Sequence, residues 1–189
     1  MGSLVLTGDT SGSVTVAVPL VAGSNTATLA AATGTHFPFS SGTAVASTSG
    51  TSIDFTSIPS WVKRITVMLN GVSTNGAAAL LIQLGTSSGP TTSGYLGTGY
   101  NIGASPVNYT TGFGDGITSA VVIRQGSFII SSFGNNTWIC GANISTSDAA
   151  RVSAISGSVT LGGTLDRVRI TTVNGTDTFD AGSINILFE

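Results

Sequence analysis

Apolar residues at every second position, repeated in segment after segment, constrain this chain more than any other feature. In "SVTVAV" Val14, Val16 and Val18 share a face. In "VKRITVML" Ile65, Val67 and Leu69 do so, and in "ALLIQL" Leu80, Ile82 and Leu84. The same period puts Trp138, Cys140, Ala142 and Ile144 on one side, and Ile184, Ile186 and Phe188 on one side of the last segment. A period of two is that of a strand with one buried face. Turn signals such as "LNGVSTNG", "GTSSGP", "FGNN", "LGG" and "VNGTD" separate the runs at the spacing of an all-β sandwich or barrel. An antiparallel β-sandwich is therefore expected. No long segment carries a capped 3.6-residue stripe, and short turns at "IPSWVK" and "STSDAA" are the only candidates for helix.

Composition supports this reading. The chain has 189 residues, enough for one main domain. It contains 26 serines, 28 threonines and 26 glycines, which favour strands and turns, and only 7% charged residues. A net charge of −2 with a single lysine, Lys63, argues against nucleic-acid binding, which needs clustered cations. A surface polar through small hydroxyls loses little when covered by protein, so an oligomer or assembly component is expected. Cys140 is the only cysteine and alternates with apolar neighbours, as a buried structural thiol would. The first residues do not read as a signal peptide, and no apolar run reaches the roughly 20 residues of a membrane helix.

Texture divides the chain into three: a strand–turn–strand arm over 1–35, a Gly/Ser/Thr-rich bridge over 36–50, and the sandwich over 51–189. Two or three strands cannot stand alone in water, so the arm must dock on another surface. "KRITVMLNGVSTNG" and "RVRITTVNGTDTF" echo each other weakly, as two equivalent strands with similar turns, or chance, would produce.

Chemistry is sparse. His36, the sole histidine, lies in the bridge, a poor place to hold a catalytic triad. Asp166, Asp177 and Asp180 are carboxylates that glycoside cleavage would require, but Arg167 and Arg169 suggest a solvent-face ion pair for Asp166. Asn174, Asp177 and Asp180 hold oxygens that calcium would accept, yet they are also ordinary hairpin residues. No catalytic residue, metal or cofactor is expected. Trp61 and Trp138 read as core residues.

The stretch "SGYLGTGYNIGASPVNYTTGFGDG", 93–116, holds all three tyrosines and seven glycines. Tyr95, Tyr100 and Tyr109 beside Asn101 and Asn108 have the chemistry of a glycan-binding surface, aromatic faces next to amides. The same residues also suit packing or a contact between subunits, where a ring packs and its hydroxyl reaches water, and this is the reading preferred for the tyrosines. Phe113, with no polar handle, is expected to turn inward.

Two stretches, "TSIDFTSIPSWVKRITVMLNGVSTNG" (51–76) and "LDRVRITTVNGTDTFDAGSINILFE" (165–189), resemble a β-rich domain of tailed-bacteriophage virion proteins, often tail-fibre or other projecting proteins. The segment "LTGDTSGSVTVAVPLVAGSNTATLAAATGT" resembles one that precedes such domains, whereas residues 85–160 resemble the family least. The resemblance implies a jelly-roll-like sandwich, a homotrimer, and a place on the phage tail or capsid surface. Residues 1–35 would bind other virion proteins, and the role would be tail fibre touching host surface glycan or, as the alternative, capsid decoration.

Overall fold

The computed structural model describes residues 3–7, 13–17, 40–147 and 151–189. Residues 1–36 and 37–189 are two separate compact units. In the first, β1 (Ser3–Thr7) and β2 (Ser13–Ala17) form an antiparallel hairpin, with Leu4 opposite Val16 and Leu6 opposite Val14. The rest of the expected arm, and residues 36–39 of the bridge with His36, lie outside the described residues.

The second unit is all-β, with no helix among the described residues. Its strands are β3 (Ser40–Ser41), β4 (Val45–Ala46), β5 (Ser52–Phe55), β6 (Arg64–Thr74), β7 (Leu80–Thr86), β8 (Gly89–Pro90), β9 (Leu96–Asn101), β10 (Val107–Tyr109), β11 (Phe113–Gly114), β12 (Arg124–Gly134), β13 (Thr137–Thr146), β14 (Arg151–Thr160), β15 (Arg167–Thr172) and β16 (Phe179–Phe188). They make two antiparallel sheets. The nine-stranded sheet runs β10-β9-β14-β13-β12-β6-β16-β3, with β4 also on β16, and the five-stranded one β11-β7-β15-β5, with β8 on β7.

The alternating residues fill one core. Ile65, Val67, Phe128, Ile130, Ile144 and Ile184 of the larger sheet pack with Leu80, Ile82, Leu84, Val168 and Ile170 of the smaller, each 4% exposed or less. Trp138 and Cys140 are buried as expected, and Trp61 packs on Phe188 at the rim with ring centroids 5.9 Å apart. "IPSWVK" makes a turn in which the Val62 N–H donates to Pro59 at 3.1 Å; "STSDAA" falls partly outside the described residues.

Two readings change. Asn70–Gly71 is not a turn but the middle of β6. Gly71 (φ +70) is skipped in the pairing with β12, and Gly182 (φ +89) in the facing bulge of β16. A Cβ on Gly182 would sit 2.3 Å from the Gly71 carbonyl oxygen. This bulge resets the alternation, so that Ile65, Val67 and Leu69 point inward before it and Val72 and Thr74 after it. The echoed "RITTVNG" runs instead along β15, in the other sheet, and ends in a true turn. Second, the bridge does not stay apart from the sandwich: Ser41 pairs with Leu187, Val45 with Ile184, and the buried Ser47 hydroxyl donates to the Ala181 carbonyl at 2.8 Å.

A buried carboxylate is central to the join between the sheets. Asp115, fully buried between β11 and β12, donates its N–H to Leu80 O and accepts the Leu80 N–H on its carboxylate, both at 3.0 Å. The same carboxylate accepts from Arg124 Nε of β12 at 2.5 Å, and the Asp115 carbonyl accepts the Ser153 hydroxyl of β14. Burial pushes the Asp115 carboxyl above the usual carboxylate range, opposed by Arg124 and by the Ile117 and Leu80 amides. Removing one member of such a pair leaves the other charge uncompensated. Arg124→Met is expected to lower unfolding free energy in urea by about 3–5 kcal/mol. Asp54→Asn, which breaks the solvent-side pair with Arg169, should cost no more than about 1 kcal/mol.

Candidate functional site

The tyrosine-rich stretch forms the β9–β10 end of the nine-stranded sheet. Its period of two divides the five candidate ligand residues. Tyr95, just before β9, is 1% exposed; its ring meets Phe113 edge-on at 5.0 Å, and its hydroxyl accepts the Leu84 N–H at 2.7 Å. Burial pushes that phenol far above its ordinary value, so it stays neutral. Tyr109, 6% exposed, packs with Ala79 and Leu81 and lies against Gly114, where a Cβ would come within 2.5 Å of its ring. Gly99 meets the same ring, so the glycines of this stretch are the floor on which an aromatic side chain lies flat. Burial, reinforced by the charge of Asp115, pushes the Tyr109 phenol up as well.

Asn101 is half-buried, and its Oδ1 has no hydrogen-bond partner among the described residues. Only Tyr100 (36% exposed) and Asn108 face outward, and Asn108 Oδ1 accepts the Thr98 hydroxyl at 2.9 Å. A groove of about 290 Å³ at this edge is lined by Leu96, Thr98, Asn108 and Thr110 with the margins of Tyr95 and Tyr109. It offers hydroxyls and one amide but no exposed aromatic face. Of the two uses the sequence allows for these tyrosines, Tyr95 and Tyr109 take the packing one, and Tyr100 alone faces outward.

The other candidates are likewise occupied. Asp166 lies 3.5 Å from Arg167, but Arg169 belongs to Asp54, through two bonds of 2.8 Å. Asn174 Nδ2 donates to Asp177 Oδ1 at 2.6 Å, and the Ala78 N–H donates to Oδ2 at 2.9 Å; these bonds hold the Asp177 carboxyl below its ordinary value. Asp180 accepts the Ser73 hydroxyl. The turn uses its oxygens internally, and among the described residues no three His, Cys, Asp or Glu side chains are grouped as a metal would need. Burial pushes the Cys140 thiol up to about 12, leaving no thiolate for chemistry.

What sequence reasoning did not single out is the outer face of the nine-stranded sheet. It follows from the same alternation taken in the opposite phase: Ile129 and Ser131 on β12, Ile139, Gly141 and Asn143 on β13, and Ala154 and Ser156 on β14 point away from the core. At its centre Gly141 opens a hollow of about 630 Å³. A polar groove of about 330 Å³ lies on the opposite side of the molecule's two sheets, lined by Gln83, Thr111, Arg169, Thr171 and Asn174 among others.

No family model, curated protein or solved structure matches this chain.

Tyr95→Phe leaves the buried Leu84 N–H without an acceptor and is expected to cost about 1–3 kcal/mol of unfolding free energy. Tyr100→Ala should change it by no more than about 0.5 kcal/mol. In the native protein a disulfide reagent for free thiols should leave Cys140 unmodified, with one equivalent reacting only after denaturation.

Proposed function

We propose that the chain is a non-enzymatic structural component of a tailed-bacteriophage particle, a tail-fibre-like projecting protein carrying a jelly-roll-like sandwich. The observation that carries this reading is where the two stretches resembling phage virion domains lie. Residues 51–76 and 165–189 pair with each other in both sheets: β5 with β15 (Phe55 opposite Val168) and β6 with β16 (Val67 opposite Ile186). The likeness therefore falls on one coherent scaffold. The chain also passes repeatedly between the sheets, from β5 to β6 to β7 to β9 to β11 to β12, as a jelly-roll-like wrapping requires.

In this reading the unit containing the β1–β2 hairpin attaches the protein to other virion proteins. The sandwich assembles as a homo-oligomer, trimeric as the resemblance implies, and host surface glycan is met through the outward residues Tyr100 and Asn108. Burial of Tyr95 and Tyr109 favours a second reading, capsid decoration, because it removes most of the aromatic surface that sugar stacking would use.

Particles labelled with an antibody against the sandwich separate the readings: label on the tail supports the fibre role, label over the head supports decoration, and absence from purified particles removes both. Deleting residues 1–35 should abolish incorporation while leaving the far-ultraviolet β signature of the sandwich. Tyr100→Ala should reduce adsorption to host cells only if the protein is the adhesin.

A further inference from the structure

We infer that the hollow beside the β12–β13 turn binds one ring of an acidic sugar, whose carboxylate meets Lys63 and whose hydroxyls meet Asn135 and Asn136. The inference rests on the adhesion reading above and deepens it, naming a sugar class and a contact away from Tyr100. Three observations converge.

The first is form. The hollow, of about 180 Å³, lies where the residues before β6, the β12–β13 turn and the residues before β15 come together. Val62, Trp138 and Leu165, each 5% exposed or less, make its apolar base, and hydroxyls, amides and one ammonium surround them. An apolar base with a few polar groups around it is the form of a small-molecule site, and sites for drug-sized ligands measure about 300–1,000 Å³. This one has room for a single ring. Between the lining residues Ser132 and Gly134, Phe133 is 75% exposed, an apolar surface for the C–H groups of a following ring.

The second is that its polar groups are uncommitted. Among the described residues, the side chains of Ser60, Ser132, Asn135, Asn136 and Thr164 form no hydrogen bond, and the Trp138 indole N–H has no acceptor. The other polar hollows differ. In the groove beside Arg169, Thr171 donates to the Thr51 carbonyl, Gln83 to the Thr111 carbonyl and Arg169 to Asp54. At the β9–β10 edge Thr98 donates to Asn108. The backbone under the hollow is nevertheless fixed: the Ser132 N–H donates to the Lys63 carbonyl at 2.8 Å, and the Lys63 N–H to the Glu189 carbonyl at 2.7 Å. Fixed backbone with uncommitted side chains is preorganised for a ligand.

The third is charge. Arg64, Arg124, Arg167 and Arg169 are paired with Glu189, Asp115, Asp166 and Asp54. Lys63 has no carboxylate partner among the described residues. Asp166, next to the lining residue Leu165, and Glu189, bonded to the Lys63 backbone, would compete for its ammonium, but Arg167 and Arg64 hold them. A compact, unpaired ammonium at the rim of a neutral hollow selects an anionic ring. Amides and hydroxyls, which both donate and accept, match the hydroxyls of a sugar.

The test is titration of the isotope-labelled full chain with glucuronate, glucose and acetate, followed by nuclear magnetic resonance. Glucuronate should shift the Asn135, Asn136 and Thr164 amides and the Trp138 indole N–H, with glucose and acetate at least about tenfold weaker. Lys63→Gln should raise the glucuronate Kd about tenfold and leave that of glucose unchanged. Asn136→Gly should weaken both sugars about three- to tenfold. It should do so without lowering the melting temperature, because glycine suits the left-handed backbone there (φ +57). Absence of these shifts, or glucose or acetate binding as tightly as glucuronate, overturns the inference. Binding of the chain to host cells reads adhesion separately. A chain that holds to cells but shows no glucuronate shift overturns the inference and leaves adhesion standing. A chain that binds glucuronate in this hollow but holds to no cell supports the site and removes the adhesion role.

Discussion

Two sheets that face each other through hydrocarbon alone could slide, and the buried Asp115 prevents it. Its peptide N–H and carboxylate grip Leu80 of the small sheet, while its carbonyl and carboxylate take Ser153 and Arg124 of the large one. An apolar substitute would fit the volume but would not fix which strand lies over which. The tyrosines act in the same service. Tyr95 reaches from the rim of the large sheet to the Leu84 amide of the small one, and Tyr109 lays its ring beside Leu81. The most functional-looking part of the sequence is therefore largely the seam of the sandwich.

Much of the core was legible because burial on one face leaves a period of two, and that period survives in Ile65, Val67 and Leu69 and in Trp138, Cys140, Ala142 and Ile144. The Asn-Gly pair at 70–71 was not, since a bulge and a turn both call for a left-handed glycine and only the pairing partner tells them apart. The tyrosine stretch contained its own correction. Tyr95 and Tyr100 are five apart, an odd spacing, so an extended chain sends their rings to opposite faces. Asp115 and Arg124 gave no signal, because a loop joins them and their meeting depends on the crossing between sheets.

The two exteriors share the low charge that the composition implies but arrange it differently. The side of β5 and β15 carries the Asp54–Arg169 and Asp166–Arg167 pairs. On the other side Arg64 is held by Glu189 and Asp180 by Ser73, and between them lie hydroxyls, amides and exposed apolar side chains such as Ile129, Ile139 and Phe133.

The pairing of β5 with β15 and of β6 with β16 also carries a temporal consequence. Strands from opposite ends of the domain are neighbours in both layers, so during synthesis neither sheet can complete its pairing until β15 and β16 have been made. Contacts of such long sequence separation make for slow maturation. The unfinished large sheet has an unclosed edge beside β6 throughout synthesis, and chaperones or a rapidly arriving sister chain would have the most to do there.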